Sequence, residues 1–465
     1  MKYISTRGQA PVLQFDDVLL AGLAADGGLY VPQVWPQFSD NEISAMAELS
    51  YSEIAHRVIR PFVGGTINDN ELRTLIKASY VGFDHTAVTP LKQIGQNEWL
   101  MELFYGPTLA FKDLALQLVG RMFDHVLSAR GRRITIVGAT SGDTGSAAIE
   151  ACRDRDNVDV FILYPEGRVS EVQRRQMTTV TSGNVHALAV AGTFDDCQDL
   201  VKAMFNDVEF RETYNLSAVN SINWARVLFQ IVYYFVAAVR LGAPKNSIGF
   251  AVPTGNFGNV YAGWVAWKCG LPVSRLVVGT NSNDVLFRFF ESGVMRSQKV
   301  VPTLSPSMDI QVSSNFERLL FDMLGRDGVA VSEWINTFRK TGTVSVDDSC
   351  LAEVREKFCA ARLNDADTKQ VIRRLYAETG EQLDPHSAIG VGVGRQCRGD
   401  VTVPMVSLAT AHPSKFPDAV EEATGLRPQL PDRLATLFDR PERYVTISKN
   451  LKAVRKFISE TTTVG

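Results

Sequence analysis

Lys112 is the residue whose setting most invites chemistry. It stands in Gly106-Pro107-Thr108-Leu109-Ala110-Phe111-Lys112-Asp113, between a strand-like run at 99–104 and an amphipathic helical pattern at 114–127. Lysines mostly sit on solvated faces. One held in a cleft loses solvation, its pKa falls, and the neutral amine becomes a nucleophile able to form a Schiff base. Taken alone, Lys112 reads as a surface residue near a helix start. Loops further along the chain change that reading.

Gly255-Asn256-Phe257-Gly258-Asn259 lies between a strand-like run at 248–252 and a helical pattern at 260–268. A helix start behind such a turn can hold a phosphate through backbone N–H groups alone. No GK[ST] follows and the G-x-G-x-x-G spacing is absent, so it is neither a Walker motif nor a dinucleotide fingerprint. An ordinary βα turn is the competing reading. Ser141-Gly142-Asp143-Thr144-Gly145-Ser146 has the same placement after the run at 133–137. It offers donors for a carboxylate or phosphate, against a plainer role for Asp143 as a helix cap. In Asn220-Ser221-Ile222-Asn223-Trp224-Ala225-Arg226, Arg226 could fork onto an anion or make a surface salt bridge. Thr410, His412 and Lys415 share a late strand-to-helix loop. Asp384-Pro385-His386-Ser387 reads as a helix start with proline at its first position.

These candidates need a frame. From residue 88 onward strand, loop and helix recur, which predicts an α/β fold with a mostly parallel sheet whose loops gather beyond the strand ends. We divide the chain into a small N-terminal α+β unit at 1–87, an α/β domain at 88–220 carrying Lys112 and the 141–145 loop, and a domain at 221–465 carrying the 255–259 loop. The last has a helical insertion around 331–380. In the first unit, Ser39 with Glu42 and Asn68 with Glu71 have capping-box spacing, and Ser52 is read as opening a helix over 53–63. The apolar run at 227–239 is too short to span a bilayer and predicts a buried helix.

The 465 residues are 45% hydrophobic and 21% charged, with net charge −3 and both signs interspersed, so no basic footprint for nucleic acid is present. Six cysteines contain no C-x-x-C pair, and six histidines show no metal-ligand spacing. Reduced thiols and no apolar leader point to a cytoplasmic protein without metal or membrane.

Taken together, the stretches at 106–113, 139–147, 220–226, 255–259 and 409–416 resemble the motifs of threonine synthase, in its longer bacterial and fungal form. Tyr3-Ile4-Ser5-Thr6-Arg7-Gly8, Asp26-Gly27-Gly28-Leu29-Tyr30-Val31-Pro32 and Gln176-Met177-Thr178-Thr179 resemble it too. The resemblance runs through essentially the whole chain, in order. It implies a fold-type II pyridoxal 5'-phosphate enzyme: two open, mostly parallel sheets with flanking helices, beside the small N-terminal unit. By that likeness Lys112 binds the cofactor covalently and later moves protons. The loop of Gly255, Asn256, Phe257, Gly258 and Asn259 holds the cofactor phosphate, and Thr410 faces the pyridine nitrogen. Ser141, Gly142, Asp143 and Thr144 hold the substrate carboxylate. For the substrate phosphate, Arg226 with Asn220 and Ser221 is the first expectation and Lys415 the second.

The implied reaction turns O-phospho-L-homoserine and water into L-threonine and phosphate, in a monomer or homodimer. Two alternatives stand beside it. One is a serine or threonine ammonia-lyase of the same fold, whose substrate carries no phosphate. The other is a threonine synthase-like protein that binds a phosphorylated ligand without turnover.

Overall fold

The computed structural model describes residues 1–462. Two sheets organise it, and both are drawn from separated stretches of chain. One has the strand order Val445–Ser448, Val185–Ala191, Val158–Pro165, Ile134–Ala139, Leu216–Ser217, all parallel. The other runs Phe358–Arg362, Val273–Thr280, Ile248–Pro253, Met405–Ala409, Glu98–Glu102, Leu91–Gly95. Its strands are parallel except Leu91–Gly95, which pairs antiparallel at one edge.

Parallel strands buried on both faces should read as unbroken apolar runs. Val158–Pro165 does, and every residue in it is buried. Phe161 and Leu163 face one cluster, with the helices Phe194–Asn206 and Leu451–Thr461, while Val160 and Ile162 face the main core. That core passes from sheet to sheet through the helices Lys112–Arg130 and Trp224–Arg240. Every residue from Trp224 to Val239 is buried, so the expected buried helix is found, with no solvated face at all. The helix after Lys112 is also buried nearly all round through its first three turns, where an amphipathic one is expected.

The N-terminal unit pairs Tyr3–Ser5 with Tyr30–Pro32 and adds helices. Capping boxes close at Ser39 with Glu42 and Asn68 with Glu71, as the spacing predicts. The helix expected from Ser52 instead starts at Tyr51. Ser50 and Glu53 form the reciprocal box, and buried Tyr51 begins the apolar face. In the 331–380 region the helices Gly328–Thr341, Asp348–Lys357 and Asp365–Thr379 flank an unexpected strand, Phe358–Arg362, on the edge of the larger sheet. Its sequence, Phe-Cys-Ala-Ala-Arg, has no β-branched residue to signal it.

No helix among the described residues is long and apolar enough to cross a membrane. Among the described residues no cluster of three or more His, Cys, Asp or Glu is placed to hold a metal.

Candidate active site

The loops that matter all follow carboxyl ends of parallel strands, where ligands collect in open α/β sheets. Two are stitched together. Phe111 N–H donates to Thr410 O at 2.8 Å, and His412 N–H to Leu109 O at 3.0 Å. Leu109 reaches this pairing with φ of +62°, a left-handed conformation that a branched side chain rarely adopts. Just below, Thr108 donates its N–H and hydroxyl to the two oxygens of Asp113, each at 2.7 Å. Asp113 thereby closes the turn into the helix. Burial pushes its carboxyl up to about 6, against the lowering effect of Thr108.

Lys112 is the first residue of that helix and only 9% exposed. Its Nζ lies 3.3 Å from Asp143 Oδ2 and 5.0 Å from the centre of the Phe111 ring. Burial lowers the amine below the ordinary lysine range; Asp143 opposes this, while Lys415 and Arg226 add to it.

Asp143 sits in the first turn of Asp143–Cys152, behind Gly142 rather than as its cap. Thr140 Oγ1 shapes the approach by accepting from Gly142 N and Gly145 N, each at 2.9 Å. The Asp143 carboxylate is already engaged: Oδ1 accepts from Gln173 Nε2 at 2.8 Å and pairs with Lys415 Nζ at 2.9 Å. Burial opposes its charge, yet Lys415 and Lys112 outweigh burial and hold it far below the usual carboxylate range. Lys415 is fully buried and also donates to Thr108 O at 2.7 Å and Gln176 Oε1 at 3.1 Å. Three acceptors match the three protons of an ammonium. What the 141–144 stretch leaves open to a ligand is exposed Ser141, half-buried Thr144 and the N–H groups of the helix start.

The 255–259 turn enters the helix Gly258–Lys268 through Phe257 at φ +64°. Its carbonyls are pinned from behind. Ser313 Oγ donates to Gly255 O at 2.7 Å, and Asn315 N and Nδ2 donate to Asn256 O at 3.0 and 2.8 Å. A Cβ on Gly255 would lie 2.7 Å from Ser307 O, so only glycine permits this approach. The first N–H groups of the helix have no partner within it and remain as donors. Asn259 Oδ1 accepts from Tyr233 and Tyr234 hydroxyls at 2.5 and 3.0 Å, while its buried Nδ2 has no partner among the described residues.

Arg226 is buried, 4% exposed, with one long bond to Val219 O at 3.4 Å and an unpartnered Nε. Among the described residues it has no carboxylate partner. Burial lowers its guanidinium to about 10, still cationic at neutral pH. Ser221 reaches the 255–259 turn through Ser314, hydroxyl to hydroxyl at 3.2 Å, whereas Asn220 is exposed. Thr410 is buried and its hydroxyl makes no hydrogen bond among the described residues.

Several residues that shape the site escape a reading of the sequence. Gln173 tethers Asp143, and Gln176, which the sequence marks only as part of a family-like stretch, tethers Lys415. Arg318 is fully buried and holds Asn315 Oδ1, Tyr30 O and Ile222 O at once, binding the N-terminal unit to the segment behind the 255–259 turn. Ser313-Ser314-Asn315 ahead of Phe316–Met323 is a helix-start signature that could have drawn attention to that segment.

A threonine synthase of Pseudomonas aeruginosa is 56% identical to the chain over 461 residues, covering 99% of this chain and 98% of that protein. The chain belongs to the threonine synthase family. Family models described as threonine synthase N terminus, pyridoxal-phosphate dependent enzyme, and threonine synthase C-terminal match residues 2–80, 83–335 and 387–458. A solved structure of PLP-bound threonine synthase from Brucella melitensis superposes with TM-score 0.98 at 53% identity, covering 100% of both chains. The yeast threonine synthase structure gives 0.94 at 40% identity, covering 99% of this chain and 98% of that one. The expected two-sheet fold-type II architecture is therefore present.

The residues of this threonine synthase family member also fit pyridoxal phosphate on their own chemistry. Arg226 Nε and Asn259 Nδ2 are buried donors that lack acceptors among the described residues. Donors of this kind suit an anion, the phosphate of the cofactor included. A buried amine of lowered pKa stands at Lys112.

Proposed function

We propose that the chain acts on O-phospho-L-homoserine, forming L-threonine and phosphate with the uptake of one water. The observation that carries this reading is Arg226. A buried guanidinium without a carboxylate is costly unless an anion arrives, and its charge is felt at Lys112. A serine or threonine ammonia-lyase has no phosphate to place there.

In this reading Lys112 would hold the cofactor, Gly255, Asn256, Phe257, Gly258 and Asn259 would hold its phosphate, and Thr410 would face its ring nitrogen. When bound, the cofactor supplies an electron sink for negative charge developed on the substrate carbons. Ser141, Gly142 and Thr144 take the substrate carboxylate, while Asp143 steadies Lys112 and Lys415. Lys415 positions Thr108 and Asp143 rather than binding phosphate, because its protons are committed. Arg226, with Ser221 and Asn220 at its mouth, takes the substrate phosphate.

Lys112 is the proton carrier. Burial raises its neutral fraction at working pH. It accepts the α-proton and then a β-proton of the substrate, the bond from the γ-carbon to the phosphate oxygen breaks as the β-proton leaves, and it returns one proton to the γ-carbon and one to the α-carbon. Phe111 beside Nζ keeps bulk water from competing for it. Water then adds its hydroxyl at the β-carbon, and its remaining proton leaves with the phosphate. The test is product analysis from O-phospho-L-homoserine. Threonine and phosphate in equal amounts support the reading, and 2-oxobutanoate with ammonia as the main products would overturn it.

A further inference from the structure

We infer that Asp384 is a positioning residue that sets both ends of the cofactor cleft at once, through Ser387 toward Thr410 and through His386 toward the 255–259 turn. The inference rests on the cofactor reading above and adds to it a residue that touches neither substrate nor cofactor.

Asp384 is 0% exposed and caps the helix Pro385–Gln396, accepting from the backbone N–H groups of His386 at 2.9 Å and Ser387 at 3.1 Å. A cap needs no more than that. Two further bonds go beyond capping. Ser387 Oγ donates to Asp384 Oδ1, and His386 Nδ1 lies 2.7 Å from Asp384 Oδ2. A carboxylate only accepts. The Ser387 proton is therefore turned toward Asp384, and its lone pair accepts the Thr410 N–H at 3.0 Å. His386 carries its proton on Nδ1 for the same reason, which leaves Nε2 to accept the Ser307 N–H at 3.3 Å. Ser307 O is the atom against which Gly255 is packed. One carboxylate thus dictates the direction of two hydrogen-bond chains. One ends at the strand tip bearing Thr410, the other behind the phosphate-type turn.

The helix is seated to do this. A Cβ on Gly390 would lie 3.1 Å from the Pro253 ring and 3.5 Å from Leu408 O, and one on Gly394 would lie 2.9 Å from Ala251 Cβ. The helix therefore lies directly on Ile248–Pro253 and Met405–Ala409, the adjacent strands whose ends carry the two loops.

The experiment is titration of apo-protein with pyridoxal phosphate, followed by absorption, with the melting temperature of each apo-protein measured alongside. Failure of the wild-type protein to bind would count against the cofactor reading, not against Asp384. Asn caps helices about as well as Asp, so Asp384→Asn preserves the cap, yet its amide N–H cannot accept and one chain must reverse. The expected result is a dissociation constant raised tenfold or more, with a changed absorption band or a changed pH dependence of that band. Ser387→Ala keeps the carboxylate, the cap and the His386 bond, and should alter the band while raising the dissociation constant less. It decides the matter if Asp384→Asn does not fold. A lowered melting temperature in either variant, with affinity and spectrum as in the wild type, means a structural cap only and overturns the proposal.

Discussion

Asp143 Oδ2 lies 3.3 Å from Lys112 Nζ, and its other oxygen is paired with Lys415. One buried carboxylate thus answers two buried ammonium groups, and the positive charge of Arg226 further lowers the Lys112 amine. The cluster is left with an excess of positive charge, which suits the proposed binding of two phosphate groups.

Replacing Asp143 by Asn removes the counter-charge of both lysines. Breaking a buried pair from one side costs about 3–5 kcal/mol, a loss measurable by urea unfolding. Asp143 is also the group that raises Lys112. Without it the amine should fall further, and the acid limb of the pH profile for cofactor capture should move to lower pH. Wild-type stability in the variant would contradict this picture of the cluster.

Arg226→Gln should raise KM for O-phospho-L-homoserine by roughly 10–100-fold, the range for a lost hydrogen bond to a charged group. A phosphate-free analogue such as L-homoserine should lose far less affinity as an inhibitor. Equal losses would remove Arg226 from the phosphate role. The same change should not destabilise the apo-protein, since among the described residues only Val219 O loses a partner.

Arg318→Met leaves Tyr30 O, Ile222 O and Asn315 Oδ1 without their donor. At about 1–3 kcal/mol for each buried group left unpaired, stability should drop by about 3 kcal/mol or more. Cofactor affinity should fall with it, because Asn315 backs the 255–259 turn. Limited proteolysis should then cut within residues 1–80 sooner than in the wild type; an unchanged cleavage pattern would break the link between the N-terminal unit and the site.

His412 gives a pH signature. Burial first, then Arg433, lowers its imidazole to about 4. A folded-state pKa below the unfolded value contributes stability that is present above about 6.5 and is lost as pH falls through about 4. The loss is about 3 kcal/mol by the size of the shift. Asn at 412 can still accept from Ser414 N–H and should lack this part of the acid loss. Asp113 works in the opposite direction, losing stability as pH rises from about 4 to about 6, so variant and wild type must be compared at each pH. Parallel curves would contradict the buried neutral imidazole.

Much of this site was legible because its parts are local. The 255–259 turn, the helix start at 143 and the turn before Lys112 are each encoded by a few adjacent residues that fix backbone direction. The buried helix over 224–240 announced itself by an unbroken apolar run. What stayed hidden depends on pairing at a distance. Phe358–Arg362 becomes a strand only because Val273–Thr280 offers it an edge. Val445–Ser448 joins a sheet more than two hundred residues upstream. Arg318 and Asn315 act through backbone carbonyls, which no side-chain pattern marks. Lys415 and Asp143 both looked like ligands for substrate, and only their mutual distance shows each satisfying the other.

The measurement that tests the account most directly is turnover of O-phospho-L-homoserine in ¹⁸O-labelled water. We predict label in the β-hydroxyl of threonine and none in the released phosphate, because water adds to carbon after the carbon–oxygen bond breaks, and no turnover in Lys112→Ala. Label in phosphate, or threonine formed at the wild-type rate by Lys112→Ala, would contradict it.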